Sequence, residues 1–265
     1  VAGILNKKND EHHLRTLAET IRKNFNAAFY NEATHHYGEG KQGADVFALA
    51  FGLVPDGKRE KVFAALLGHL EKVNYHFDTG ILATPLLLQV LTENGRADLA
   101  YKLMNQRDFP SYGYLADKKN NTLWETWNGD GNDEGCGHCH PMFGSVVAWF
   151  YHSLAGIKPD QSDPGMKHFY IEPMIVPDLK YCRATYDSQY GKISSDWKID
   201  ENGNLNIKIE VPANTSATVI IPDWGGRTVL ESGKPVSEVS NIVIDKVDSA
   251  WMEVSSGVYH FVILK

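Results

Sequence analysis

Asn204-Leu-Asn-Ile-Lys-Ile-Glu-Val211 decides the architecture, because its apolar residues fall at every second position. Leu205, Ile207, Ile209 and Val211 share one face and polar residues the other, which is the period of a half-buried strand. Residues 217–221, 242–247 and 258–263 read as further strands, with turn signals at Asn202-Gly203, Gly225-Gly226 and Ser256-Gly257. Short strands at this spacing predict an antiparallel β-sandwich.

Upstream of Gly156 the period changes. Leu14, Leu17, Ala18, Ile21, Phe25 and Ala28 recur at three- and four-residue steps, predicting an amphipathic helix that closes near Tyr30. Residues 44–51, 58–73, 80–91 and 97–104 repeat the pattern; Gly52 and Pro55 stop the first of these and Asn94-Gly95 caps the third. The short link between the last two predicts an antiparallel hairpin. Residues 109–137 are rich in Gly, Asn and Asp and lack a helical period, which resumes over 144–154. Successive hairpins on short links suit an α/α toroid, in which each hairpin adds an inner and an outer helix. Roughly six helices are legible, about half of what a closed six-hairpin toroid holds. The expected organisation is therefore the C-terminal half of an (α/α)6 barrel over residues 1–156, then a C-terminal β-sandwich domain over 157–265. The opening Val1-Ala-Gly-Ile-Leu-Asn6 reads as the tail of a helix, as if the chain began inside a larger fold.

Of the 265 residues 43% are hydrophobic and 22% charged, as in a soluble globular protein. A net charge of −7 with no basic stripe argues against a nucleic-acid partner. No apolar run approaches a membrane span and no signal peptide is visible. Three cysteines are too few, and odd in number, for a disulfide framework.

Trp124-Glu-Thr-Trp127 places one carboxylate, Glu125, between two indoles, with His140 downstream. Sugars bind through aromatic platforms that stack on their C–H faces and charged groups that grip their hydroxyls. A glycosidase also needs a carboxylate beside the anomeric carbon. The same string fits a half-buried turn with an exposed Glu. Cys136-Gly-His-Cys-His140 offers soft ligands, but no second Cys/His pair stands at finger spacing, so a loop bordering a sugar pocket is preferred to zinc. Asp130-Gly-Asn-Asp-Glu134 starts like a calcium loop, yet Pro141 stands where the closing Glu belongs. No cofactor is expected; a calcium ion near Asp130 is the weaker alternative to a solvated turn or a substrate contact. Asp45 is a candidate for gripping a sugar hydroxyl, and His76 and Asp78, preceding an inner-type helix, are candidates to reach the same pocket.

In order along the chain, several segments carry a family likeness. They are 47–55, 76–84, 94–101, 111–114, Thr122-Leu-Trp-Glu-Thr-Trp127, His140-Pro-Met-Phe-Gly-Ser-Val146, 191–197 and 211–216. Together they resemble the C-terminal half of glycoside hydrolase family 78, the bacterial α-L-rhamnosidases. The resemblance implies an (α/α)6 barrel followed by a β-sandwich, and hydrolysis of terminal α-L-rhamnosides with inversion. It implies Glu125 as general base, His140 as a sugar contact, and Trp124 and Trp127 as walls of the subsite. Inverting enzymes hold acid and base roughly 6.5–9.5 Å apart, leaving room for a water. Two positions depart from the family: Thr126 where Arg is frequent, and Cys139 where Asn is frequent. The family's general acid lies in an acidic loop upstream of everything in this sequence. The chain is thus expected to be an incomplete catalytic module whose partners are a rhamnose-containing oligosaccharide or glycoside and the missing N-terminal half of the barrel. A bacterial periplasmic or extracellular setting is favoured over the cytoplasm. A non-catalytic carbohydrate-binding fragment is the main alternative. Another α/α-toroid glycosidase is a further one, but uronic-acid specificity would call for cations near Glu125, and only Lys118 and Lys119 are close in sequence.

Overall fold

The computed structural model describes residues 1–118, 122–128, 136–221, 225–240, 242–246 and 251–265. They fall into two compact units, Val1–Ser145 and Val146–Lys265. Among the described residues, no helix is long and apolar enough to cross a membrane.

The first unit contains α1 (Lys8–Phe29), α2 (Gln42–Ala50), α3 (Arg59–Lys72), α4 (Ala83–Glu93), α5 (Ala97–Met104) and α6 (Tyr112–Asp117). Its core follows the sequence period. Val62, Leu66 and Leu70 bury one stripe of α3, while Leu87, Leu88, Val90 and Leu91 bury most of α4. α2 packs on α3 and α4, and α4 on α5 across the Asn94-Gly95 turn. Full burial of each such side chain stabilises by about 1.5–3 kcal/mol, which outweighs the weak helix propensity of the β-branched residues.

α1 behaves differently. It carries the apolar stripe, yet none of its residues is buried, and Leu14, Leu17 and Ile21 stay exposed. It is fastened near its end by polar bonds. Arg22 donates to the Val54 carbonyl and to Asp56, and Asn26 donates to the Leu53 carbonyl while accepting the Tyr37 hydroxyl at 2.6 Å. The helix α6 lies in the stretch read from sequence as non-helical. At 6 residues it is too short to show a period. Its signal is instead Ser111, whose hydroxyl accepts the Tyr114 N–H as an N-terminal cap.

A helical run opens as a 3-10 turn, Pro141–Val146, continues through α7 (Val147–Trp149) and ends as a π-helical turn, Phe150–Leu154. Its end is bonded to the sheet. The Trp197 indole N–H donates to the Leu154 carbonyl at 2.7 Å, the Ser195 hydroxyl to the Ala155 carbonyl at 2.6 Å, and the Met174 N–H to the Ser153 carbonyl at 2.9 Å. These bonds explain why the units divide ahead of the change in sequence pattern at Gly156.

The second unit holds β1 (Ile157–Pro159), β2 (His168–Ile171), β3 (Tyr181–Ser188), β4 (Gly191–Ile199), β5 (Leu205–Ile220), β6 (Val229–Glu231), β7 (Lys234–Pro235), β8 (Ile242–Lys246) and β9 (Trp251–Ile263). All belong to one hydrogen-bonded network of 9 strands. The stretches 204–211 and 217–221, read as two strands, are one. The first half of β5 runs between β4 and the end of β9, and its second half between β2 and the start of β9. The register slips between Val211 and Ser216, where Asn214 takes a φ of 63°. A long strand bent at such a bulge passes from one layer of a sandwich to the other. Both halves of β5 contribute to a single core with Phe169, Trp197, Phe261 and Ile263. One pairing corrects the antiparallel expectation: β2 runs parallel to β5. β4 escaped the sequence reading because its inward face is Ile193, Ser195, Trp197, and the hydroxyl interrupts the apolar alternation.

Trp197 is fully buried and its N–H is committed to Leu154. Trp197→Phe should therefore lower stability by about 1–3 kcal/mol, the cost of stranding a buried carbonyl. Tyr181→Phe, at a residue 68% exposed, should change it by under about 0.5 kcal/mol. Urea unfolding of the two variants side by side checks both values.

Candidate active site

Trp127 fixes the site segment to the helical unit. Its indole N–H donates to the Thr79 carbonyl at 2.7 Å. Its ring lies 5.2 Å from Phe77 in a stacked arrangement, 4.2 Å from Phe143, and edge-on to Tyr112 at 5.2 Å. The Tyr112 hydroxyl donates to the Phe143 carbonyl at 2.8 Å, and burial raises its pKa. Trp124 is likewise buried and lies 5.1 Å from the His138 ring. With 6% and 8% exposure, Trp124 and Trp127 present no open face to a sugar. In this structure they are posts that hold what lies between them.

Between them lies Glu125. Its N–H donates to the Gly137 carbonyl at 2.9 Å, and its Oε2 accepts the Gly137 N–H at 3.0 Å. Two residues before Glu125 and three after Gly137, the His140 N–H donates to the Leu123 carbonyl at 2.8 Å, and the Thr122 hydroxyl donates to the His138 carbonyl. The segment 137–140 is therefore laid against 122–125 by backbone bonds. Gly137 is needed for close approach. A Cβ there would sit 3.3 Å from Glu125 Oε2 and 4.0 Å from His140 Cδ2, so both side chains border the same small space. Among the described residues, Glu125 Oε1 has no hydrogen-bond partner.

The Met142 N–H points at His140 Nδ1 across 3.4 Å. A ring nitrogen that accepts carries no proton, so the imidazole hydrogen sits on Nε2 and can be donated outward. A carboxylate oxygen and an imidazole N–H on one partly buried rim can grip a hydroxylated ligand or take a proton from water.

The other candidates, Asp45, His76 and Asp78, are bonded to neighbouring parts of the chain. Asp45 is fully buried. Its Oδ1 accepts the Tyr37 N–H at 2.8 Å and its Oδ2 the His36 ring N–H at 2.6 Å. Burial raises its pKa, and the His36 and Tyr37 bonds oppose that shift. His76 is 8% exposed, with its ring nitrogens facing the Val73 carbonyl and Asp108. The His76 bond lowers the Asp108 pKa. Asp78 accepts the Gln42 N–H at 3.1 Å and bonds His69 at 2.6 Å. These residues tie the start of α2 to α3 and to the 76–79 segment on which Trp127 rests.

Among the described residues, no three His, Cys, Asp or Glu side chains are arranged to hold a metal ion. The calcium alternative at Asp130 and the Lys119 cation lie outside the described residues. Lys118 sits over the Tyr114 ring at 4.9 Å. A cavity of about 480 Å³ opens in the second unit between Tyr151, His152, Ile157, Pro159, Met166 and Tyr186, and contains none of the candidates.

The family model described as the bacterial alpha-L-rhamnosidase 6 hairpin glycosidase domain matches residues 1–154, and that of the bacterial alpha-L-rhamnosidase C-terminal domain matches 156–234. The chain belongs to the bacterial alpha-L-rhamnosidase family. An alpha-L-rhamnosidase of Streptomyces avermitilis is 37% identical over 208 residues, which make up 76% of this chain and 20% of the relative. One from Formosa agariphila is 30% identical over 268 residues, covering 98% and 29% respectively. Among solved structures, an alpha-L-rhamnosidase from Dictyoglumus thermophilum superposes on 100% of this chain with a TM-score of 0.87 at 33% identity. The Streptomyces avermitilis enzyme, complexed with L-rhamnose, superposes on 94% with a TM-score of 0.81 at 33% identity. The chain spans 30% and 24% of those two chains, so it corresponds to part of a larger enzyme.

Gly137→Ala tests the close approach on which the site depends. The added methyl, 3.3 Å from Glu125 Oε2, should displace the carboxylate without unfolding the chain. Any ligand-dependent or hydrolytic activity of the site should fall at least about tenfold, since small misplacements at a reacting centre are costly. The thermal midpoint should stay within a few degrees of wild type. An unchanged activity would show that the Gly137 contact has no bearing on the carboxylate's position.

Proposed function

We propose that the protein carrying this chain hydrolyses terminal α-L-rhamnosides, with Glu125 as the general base. The reading rests above all on the Glu125 carboxylate, tethered through Oε2 to the Gly137 N–H while Oε1 has no partner among the described residues. A carboxylate oriented by one oxygen leaves the other to take a proton from an attacking water as the anomeric carbon gains positive charge. His140, with its hydrogen on Nε2, donates to a hydroxyl of the sugar and fixes the ring relative to that water. The water attacks opposite the leaving group, so the anomeric configuration inverts. The general acid comes from polypeptide beyond this chain, which matches under a third of the related enzymes. The family match supports the sugar; the local geometry supports the role of Glu125.

Release of nitrophenolate from 4-nitrophenyl α-L-rhamnoside by the full-length protein separates the base from the acid, because that leaving group needs little protonation. Glu125→Gln should lower kcat by roughly 10²–10⁴, the usual contribution of a positioned acid or base. His140→Ala should act mainly through KM. NMR of the first-formed sugar should show β-L-rhamnose. Initial release of the α anomer would overturn inversion, and near-native turnover by Glu125→Gln would remove Glu125 from the chemistry.

A further inference from the structure

Cys136 and Cys139 bracket the two residues Gly137 and His138, on the segment that holds Glu125. Both are free thiols; Cys139 is exposed and Cys136 partly so. The Cys136 sulfur lies 3.3 Å from the Thr126 hydroxyl, next in sequence to Glu125. Two cysteines two residues apart form a spacing that thiol–disulfide exchange uses readily, because the second thiol is held close to the first mixed disulfide. The third cysteine, Cys182, offers a contrast within the same chain. It is half-buried, and burial together with Asp196 raises its thiol pKa, which keeps it in the unreactive protonated form.

We propose that Cys136 and Cys139 are a redox-responsive dithiol, a modification site for small disulfides that switches the Glu125 centre off when its ring closes. The loss of activity rests on the reading of Glu125 as the base; the disulfide itself does not. The exposed Cys139 thiolate attacks a sulfur of a low-molecular-weight disulfide, breaks its S–S bond, and releases one small thiol. The Cys136 thiolate then attacks the Cys139 sulfur and releases the second. The two protein thiols are oxidised, one external disulfide is reduced to two thiols, and the two protons leave on those thiols.

A disulfide needs its Cα atoms within about 4.4–6.8 Å. The chain bends at His138 and Cys139, and closing the ring tightens that turn through Gly137 and His138. Gly137 is the residue now paired with Glu125 through both its N–H and its carbonyl, and His138 is held by Thr122. Turning there withdraws the Gly137 N–H from Glu125 Oε2 and pulls Cys136 from Thr126. The carboxylate loses its tether, and reduction restores it.

The test treats the full-length protein with oxidised glutathione, then with dithiothreitol. Peptide mapping should show Cys136 joined to Cys139 with Cys182 still reduced. Hydrogen exchange of the peptide containing Gly137 should speed up on oxidation, and hydrolysis of 4-nitrophenyl α-L-rhamnoside should fall on the order of a hundredfold and recover on reduction. Cys139→Ser should keep the reduced enzyme's activity and lose sensitivity to the oxidant. A mixed disulfide that never closes, a closed ring with unchanged exchange at Gly137, or equal inactivation of Cys139→Ser would each overturn the proposal. If the reduced protein shows no rhamnosidase activity, the functional reading fails, while mapping and exchange still decide whether the dithiol closes and frees Gly137.

Discussion

The site depends on one buried donor finding its acceptor, the Trp127 indole N–H on the Thr79 carbonyl. An indole cannot be buried at low cost unless its N–H is satisfied, and the stranded group would cost about 1–3 kcal/mol. Thr79 supplies that acceptor because its neighbours are themselves immobilised. The Gln42 amide donates to the His76 carbonyl, and Asp78 is held by Gln42 and His69. Phe77, Tyr112 and Phe143 then close around the ring. Each aromatic pair adds roughly 0.5–1.5 kcal/mol beyond its buried area, so the cage resists a shift of the indole from several directions. The site string is thereby bolted to α2, α3 and the start of α4 rather than left as a surface loop.

That rigidity reaches Glu125 through two short lever arms. Trp124 and Trp127 flank it, and Gly137 meets its backbone and carboxylate together. A carboxylate on a long, flexible side chain loses rotamer entropy when it is fixed, about 1.5–2 kcal/mol for a Glu. A charge-assisted bond from a backbone amide is strong enough to offset that loss. Because the amide belongs to a glycine, the donor approaches without a side chain intervening. The tether and the shared space beside His140 thus come from one residue with no chemistry of its own.

The fold was legible wherever burial obeyed one period. The α3 stripe of Val62, Leu66 and Leu70 and the β5 alternation from Leu205 to Val211 are both read directly. Reading failed where a polar atom replaced the period. Ser195 faces inward on β4 because its hydroxyl bonds the Ala155 carbonyl, and α6 is set by the Ser111 cap instead of an apolar stripe. The register slip in β5 lies in Pro212-Ala-Asn-Thr215, between the stretches 204–211 and 217–221 that read as separate strands. Local chemistry there is a turn, and the pairing that keeps the strand continuous comes from β2 and β9, far away in sequence.

The candidate site was legible as strings of residues, and the partners of those residues were not. Glu125 and His140 stand beside distinctive strings, which is what singles them out in the sequence. Asp45, His76 and Asp78 look equally chemical in sequence, since a charged or imidazole side chain before an apolar helix is a natural ligand. Their partners in the fold are 9 residues away for Asp45, 32 for His76, and 9 and 36 for Asp78. No local pattern announces a pairing at such separations. Asp45, fully buried, would have to break its bonds to His36 and Tyr37 to hold a sugar, at a cost of several kcal/mol. A site carboxylate is recognised by the opposite condition, one oxygen held and one left over. Among the residues read as candidates, Glu125 meets that condition, and the two buried tryptophans that flank it keep it so.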